Sequence, residues 1–465
     1  MNRTATGGMS PSGDLYTRLI AGVVFPLHER LKGHRSVALR RELEVSQWWP
    51  PAQLEALQLT RLQQLLGRVS REVPYWRDWF AREQASVDDF RSLADLRRLP
   101  LLTKAEIRAH TEALKNERAH KLMRFNTGGS SGEPLIFYLN ERVSHDVAAK
   151  WRATRWWNVD IGDPEMVVWG SPIELGAQDR VRQVRDALLR TELLPAFEMS
   201  EARLDGFLAA IRRRRPRMLF GYPSALSLIA THAEKRGQPM NDLGIRVAFV
   251  TSEKLYDEQR ATIARVFGCP VANGYGGRDA GFIAHQCPSG SLHVTAEDLI
   301  VELLDAQGQP VAGGQPGEIV VTHFGTADFP FIRYRTGDVA VASGQQCACG
   351  RGLPVLDEIQ GRSTDFVVAA DGTVMHGLSL IYILRDLPGV GSFKVIQESL
   401  ARTRVLIVAE PGLPADAGER IVAGFRRRLG DNVEVLVELV DAIPAEKSGK
   451  FRYIVSHVAQ PSQGS

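Results

Sequence analysis

"RMLFGYPSALSLIATHAEKRGQPMNDLGIRVAFVTS", residues 217–252, reads as two short strands with a helix between them. "RMLFGYP" and "VAFVTS" are compact apolar runs ending in turn residues, and "PSALSLIATHAEKRG" is helical. The alternation extends outward. "MVVWG" (166–170), "PVANGYG" (270–276) and "GEIVVTH" (317–323) read as further strands, and "YDEQRATIARVFG" (256–268) as another helix. Alternating strands and helices predict a parallel sheet covered by helices. Ligands in such folds bind beyond the carboxyl ends of the strands.

On the N-terminal side the pattern is helical. "LEALQLTRLQQLLGRVSREV" (54–73) spaces leucine and valine by three and four, the signature of an amphipathic helix. "SVDDFRSLADLRRLPLLTKAEIRAH" (86–110) reads as two capped helices around a proline turn, with Thr103 capping the second. Residues 1–12 read as lacking regular structure. "LIAGVVFPL" (19–27) is too short to span a bilayer. It reads as a helix docking on the body, with a loose membrane contact as the alternative. After residue 362 strands such as "FKVIQE", "TRVLIVAE" and "VEVLVELV" and the helix "AGERIVAGFRRRLG" make a small α+β unit. The expected fold is therefore α/β. Residues 1–123 read as a helical region of a large domain, 124–361 as its α/β core, which the family resemblance given below implies to bind nucleotide and substrate, and 362–465 as a small C-terminal domain, which the same resemblance implies to be mobile.

The 465 residues are 44% apolar and 24% charged, enough for a large core, and imply two or three domains. A net charge of +3 excludes the concentrated basic face of a dedicated nucleic-acid binder. Four cysteines are too few for a disulfide scaffold, and no signal-peptide apolar region follows the start. Both point to a reducing, cytoplasmic setting with no integral membrane segment.

"NTGGSSGEPLIFY" (126–138) holds the densest chemistry. A loop of Gly, Ser and Thr lets backbone N–H groups and hydroxyls approach phosphate oxygens. No Gly-Lys-Ser/Thr ends it, so it is not a Walker loop; a polar hairpin turn is the plain alternative. "NTGGSSGEP" resembles the phosphate loop of the adenylate-forming superfamily, which includes acyl-CoA synthetases, luciferases and adenylation domains. More closely it is similar to the branch of phenylacetate-CoA ligases and CapK-type proteins. "VPYWRDWF" with "LRRLPLLTKAEIR", "GYPSAL" (221–226), "NGYGGRDAG" (273–281), "YRTGD" (334–338), "GR" (361–362) and "SGKFR" (448–452) follow in the family's order, so the resemblance covers nearly the whole chain.

The resemblance implies a site. Thr127, Gly128, Gly129, Ser130, Ser131 and Gly132 would hold the β- and γ-phosphates of ATP; Leu135 stands where relatives often carry Lys. Tyr275 and Gly276 would face the adenine, and Asp279, in place of the usual Glu, would bind Mg²⁺. Asp338 would accept from both ribose hydroxyls, with Arg362 nearby. Tyr222 and Ser252 would line the acid pocket. Lys450, favoured over Lys447, would reach the α-phosphate and the substrate carboxylate from the small domain. The hinge would fall within Ser363–Asp365, where Thr364 replaces the usual acid or Lys. The implied reaction joins a carboxylic acid, aromatic by the branch, to AMP and then to CoA. The alternatives are adenylyl transfer without a thioester, as in coenzyme F390 synthetase relatives or amide ligation, and a binding protein that keeps the fold without catalysis. An oligomer is open.

A second constellation is "HQC" (285–287) with "CAC" (347–349). His285, Cys287, Cys347 and Cys349 offer a Cys₃His set for structural zinc. His293 could replace His285; reduced buried cysteines are the plain alternative, and Cys269 reads as core. "RRRRPR" (212–217) ends a helix and reads as a solvated face.

Overall fold

The computed structural model describes residues 14–127, 135–169, 180–196, 199–253, 255–305, 307–360, 366–443 and 454–458. The amphipathic helix expected at 54–73 spans Pro51–Glu72 and buries Leu54, Leu62, Leu65, Leu66 and Val69. Thr103 caps Lys104–Ala109 as expected, its hydroxyl accepting from the Glu106 N–H at 3.1 Å. The segment before it forms two 3₁₀ turns, Val87–Asp89 and Leu93–Arg98, rather than an α-helix. Residues 1–12 lie outside the described residues.

A hairpin, β1 (Met123–Asn126) and β2 (Ile136–Leu139), precedes the main sheet. β3 (Glu165–Trp169), β4 (Thr191–Pro195), β5 (Met218–Gly221), β6 (Val247–Thr251) and β7 (Val271–Gly277) run parallel, as the alternation predicts. Gly221 ends β5 because a Cβ there would strike the Val168 carbonyl of β3. The helices Glu201–Arg214, Pro223–Lys235 and Asp257–Phe267 cover this half, and their apolar sides close one core with Met166, Leu219 and Val250.

The sheet then changes sense. β8 (Gly281–Gln286), β9 (Leu292–Val294), β10 (Leu299–Leu304), β11 (Pro316–His323), β12 (Tyr334–Ala342) and β13 (Val355–Gln360) pair antiparallel. The order is β10-β11-β12-β13-β9-β8-β7-β6-β5-β3-β4, eleven strands among the described residues. "GEIVVTH", grouped above with the parallel strands, is β11 and is antiparallel to both neighbours. Short connections explain this, since parallel pairing needs a crossover of a dozen or more residues. A second core joins this half to the N-terminal helices through Trp76, Phe90, Phe137, Phe331 and Tyr334.

Beyond it, β14 (Phe366–Val368) pairs β15 (Val374–His376). β16 (Val390–Ser399), β17 (Arg402–Ala409), β18 (Glu434–Leu439) and β19 (Ile454–Ser456) form a four-stranded sheet ordered β18-β17-β16-β19. This sheet shares a separate core with the helices Leu378–Arg385 and Ala417–Leu429. The chain is thus a large α/β body followed by a small α+β unit. Among the described residues no helix is long and apolar enough to cross a membrane.

One buried group makes this core sensitive to acid. His285 on β8 is fully buried, its ring stacked on Phe282 with centroids 5.3 Å apart and 5.9 Å from that of Phe249. Neither ring nitrogen finds a hydrogen-bond partner among the described residues. Burial, helped by the Arg152 charge, pushes its pKa down to about 3. The unfolded chain takes up this proton near pH 6.5 and the native chain refuses it. Stability is therefore lost as pH falls from about 6.5 toward 3, by at most about 1.4 kcal/mol per pH unit. In urea unfolding at pH 6.5 and pH 5, His285→Phe is expected to lose about 1–2 kcal/mol less than the parent chain across that interval. Equal losses would remove His285 from the acid response.

Candidate active site

The two motifs "YGGRD" and "YRTGD" each carry a tyrosine four residues before an aspartate, and the fold crosses them. The Tyr275 hydroxyl donates to Asp338 Oδ2 at 2.9 Å, and the Tyr334 hydroxyl donates to Asp279 Oδ2 at 2.5 Å. Burial, with the Asp338 charge behind it, pushes the Tyr275 phenol well above its ordinary value. Tyr275 therefore stays protonated and remains a donor at any physiological pH. Tyr334 is fully buried, whereas Tyr275, Asp279 and Asp338 are half-buried at the surface of the site. Gly276 occupies a register shift between β7 and β8, where a Cβ would meet the Gly281 carbonyl.

A brace beneath the pair was not legible in the motifs. Arg142, 2% exposed on the helix Arg142–Arg155, donates to the carbonyl of Asp279 at 2.5 Å and to that of Arg278. Asp146, one turn on, pairs with Arg142 at 3.2 Å and accepts from the Phe282 N–H at 3.3 Å. The β7–β8 turn that carries Asp279 is thus fixed from below by main-chain contacts. Asp279 Oδ1 also accepts from the Ala280 N–H at 3.1 Å. A carboxylate has about four acceptor positions, so Asp279 retains capacity for a hard cation.

Tyr222 and Ser252 sit at the carboxyl ends of β5 and β6, where a ligand is expected. Tyr222 is 5% exposed and stacks on Trp169 of β3 with centroids 4.4 Å apart. Ser252 adopts a left-handed φ of 74°, which a residue with a Cβ rarely takes and which often marks a functional turn. The next residue, Glu253, accepts from the Ser224 hydroxyl and N–H at the start of the helix Pro223–Lys235. Trp169, Ser224 and Glu253 join the site without having been picked from sequence.

Thr127 closes the base of the Gly/Ser loop. Its N–H donates to the Leu135 carbonyl and its hydroxyl accepts from the Leu135 N–H, both at 3.0 Å. The other loop residues, Gly128, Gly129, Ser130, Ser131 and Gly132, lie outside the described residues, as do Arg362, the expected hinge Ser363–Asp365, Lys447 and Lys450.

The cysteine cluster forms, with one substitution. Ligand atoms of Cys287, His293, Cys347 and Cys349 all lie within 4.8 Å of one another. Cys287 Sγ is 3.6 Å from Cys347 Sγ, and Cys349 Sγ is 3.3 Å from His293 Nε2. Sulfurs bound at 2.3 Å to a tetrahedral zinc stand about 3.8 Å apart, so these spacings fit. His293 Nδ1 faces the Leu353 carbonyl at 3.4 Å, which turns Nε2 toward the thiols. Burial pushes the His293 pKa down to about 4, leaving a neutral imidazole with a lone pair to donate. His285, the histidine first expected there, is paired with His293 in the β8–β9 register but lays its ring against Phe282 and Phe249. Burial raises the Cys287 thiol to about 11, and it opposes ionisation of Cys347 too, but there hydrogen bonds led by Ser291 win and lower the pKa. Cys269 is buried in the parallel-half core, as expected.

Comparison with known proteins places these features in context. Residues 193–328 match the model of the AMP-binding enzyme family, and residues 367–457 that of the CapK C-terminal domain. Protein CapK of Staphylococcus aureus is 22% identical over 79% of this chain and 81% of its own length. Phenylacetate-coenzyme A ligase of Thermus thermophilus is 26% identical over 73% of this chain and 77% of its own. In fold, a crystal structure of 2-hydroxyisobutyryl-CoA ligase in complex with 2-HIB-AMP and CoA superposes with a TM-score of 0.63, covering 88% of this chain and 91% of that one at 18% identity.

Proposed function

We propose a function for a chain that belongs to the adenylate-forming superfamily, in its branch of CapK-like proteins and phenylacetate-CoA ligases: it is an AMP-forming acid ligase whose acid is aromatic and whose final acceptor is CoA. The observation that carries this reading is the crossed pair. Tyr275 presents its ring and Asp338 its carboxylate side by side, suited to an adenine face and a vicinal diol.

In the first half-reaction a carboxylate oxygen attacks the α-phosphorus of ATP, an acyl–O–P bond forms, and pyrophosphate leaves. Charge spreads over the phosphate oxygens, so the protein acts by positioning and electrostatics. In this reading Thr127 and the loop to Gly132 would hold the outer phosphates, Arg362 would serve the ribose, and Lys450 would neutralise the α-phosphate. Lys450 belongs to the link between β18 and β19, opposite edges of the small sheet. Mg²⁺, when bound, neutralises phosphate charge, with Asp279 as its carboxylate. In the second half the CoA thiol attacks the acyl carbon, a C–S bond forms, and AMP leaves. The Trp169–Tyr222 stack at the carboxyl ends of β3 and β5 supports an aromatic acid. Four free cysteines suit a cytoplasmic, reducing setting.

The Cys₃His cluster would hold a structural zinc. Its ligands come from the turn after β8, from β9 and from the β12–β13 loop, so the ion would pin the two halves of the antiparallel region. Four protein ligands leave no position for water, which makes the site non-catalytic.

Acid-dependent ATP–pyrophosphate exchange across a panel of carboxylic acids tests the first half. Aromatic acids are expected to drive it, and Lys450→Ala to lower the rate by about 10²–10³. Undiminished exchange in that variant would refute the role of Lys450. Consumption of the CoA thiol tests the second half; AMP release without thioester would refute it. Elemental analysis of purified protein is expected to return one zinc per chain, and Cys347→Ser to lose it together with thermal stability. Metal-free protein of unchanged stability would refute the zinc.

A further inference from the structure

The N-terminal helical stretch buries a mixed face and exposes an apolar one. Thr17, Ile20, Phe25 and Glu29 face the body and are buried. Leu15, Leu19, Val23, Leu27 and Leu31 recur every fourth residue and are 82, 52, 57, 57 and 80% exposed. In a regular α-helix such a row drifts by about 40° per step and would wind around the axis. Here Ile20–Val24 is a π-turn, with more residues per turn, which rotates the row back. The break in helix geometry thus keeps five apolar side chains on one outward strip. The neighbouring helix Arg180–Leu188 adds Val184 and Leu188, 60 and 45% exposed. Tyr16 ties the two helices, donating its hydroxyl to the Leu188 carbonyl at 2.8 Å.

Charge decides what could cover this strip. Arg18, Arg30, Lys32 and Arg35 are exposed along it. Within residues 15–35 the sole acid is Glu29. It is 4% exposed and is engaged by Ser36 at 2.5 Å and His34 at 3.2 Å. Of the flanking acids, Asp14 pairs with Arg190 and Asp186 with Arg185. Burial, then the nearby Lys32, pushes the His28 pKa down, so that ring adds no charge at neutral pH. A second copy laid on the strip would set cations against cations, and among the described flanking acids the exposed Asp14 is already paired with Arg190. A sheet of lipid phosphates answers all four.

We propose that the segment Leu15–Leu31 lies flat on an anionic lipid bilayer, its leucine and valine row entering the headgroup–acyl boundary while Arg18, Arg30, Lys32 and Arg35 meet lipid phosphates. An apolar strip with a basic rim is the composition of interfacial helices, and each cation near an anionic surface strengthens binding about fivefold. Its uncharged run, Leu19–Leu27, is too short to span a bilayer, so the segment rests on the surface. The cytoplasmic leaflet, which is anionic, is the matching face.

Co-sedimentation of the full chain with vesicles tests this. Vesicles of equal phosphatidylglycerol and phosphatidylcholine are expected to bind at least about tenfold better than phosphatidylcholine alone, and high salt to weaken the binding. Leu19→Glu with Leu27→Glu is expected to lower binding about tenfold or more while leaving pyrophosphate exchange intact, which excludes misfolding. Arg18→Gln with Arg30→Gln is expected to remove the preference for anionic vesicles. Equal binding to both vesicle types, or binding unmoved by the glutamate pair, overturns the proposal. So does a concentration-dependent dimer in lipid-free solution that the glutamate pair disperses, since the strip would then belong to a second copy.

Discussion

The site depends on a hydrogen-bond crossing that a flat sheet could not make. β7 and β12 are four steps apart in the strand order β7-β8-β9-β13-β12. Strands lie about 4.8 Å apart, so a flat sheet would separate them by about 19 Å, beyond the reach of a tyrosine and an aspartate together. Yet Tyr275 reaches Asp338 at 2.9 Å and Tyr334 reaches Asp279 at 2.5 Å. The antiparallel half must therefore curl over the end of the parallel half. Strong twist and register shifts provide the means; shifts occur in the β7–β8, β11–β12 and β12–β13 pairs. The curl brings the Asp338 strand to Tyr275 of β7, whose neighbours β6 and β5 end at Ser252 and Tyr222.

The same curvature explains why the surroundings are so heavily charged and buried. Main-chain groups in the β7–β8 turn lose their ladder partners where the sheet bends. Arg142 supplies donors to the Arg278 and Asp279 carbonyls, and Asp146 balances Arg142. Farther along the bend, the Cys₃His cluster joins the turn after β8 to the β12–β13 loop. One edge of the curl is thus braced by an arginine and the other by a ligand set suited to zinc. Breaking a buried charged pair on one side only costs about 3–5 kcal/mol, so the brace tolerates little change.

Much of this was legible in the sequence, and the failures have physical causes. The helix at 51–72 was readable because one face is apolar over many turns, and the parallel strands because helices separate them. The sense of β11 was not readable, since a strand buried by its neighbours has the same local pattern in either direction. β4, "TELLP", gave no signal because its partly buried edge position mixes polar and apolar residues. Tyr275 and the two aspartates were named, but Tyr334 stood only inside its motif, and the exchange of partners, which only the curl creates, was not readable. At the cysteine cluster the spacing identified the thiols. It could not choose between His285 and His293, because they lie opposite each other in register and differ only in where each ring points.

The most direct test of the crossed pair as the floor of a nucleotide site is calorimetric titration of ATP with Mg²⁺ into Asp338→Ala beside the parent chain. Loss of the carboxylate proposed to accept from two ribose hydroxyls is expected to weaken binding by at least about tenfold, with the fold intact by circular dichroism. An unchanged dissociation constant would contradict the account, because the nucleotide would then be held somewhere other than against the crossed pair.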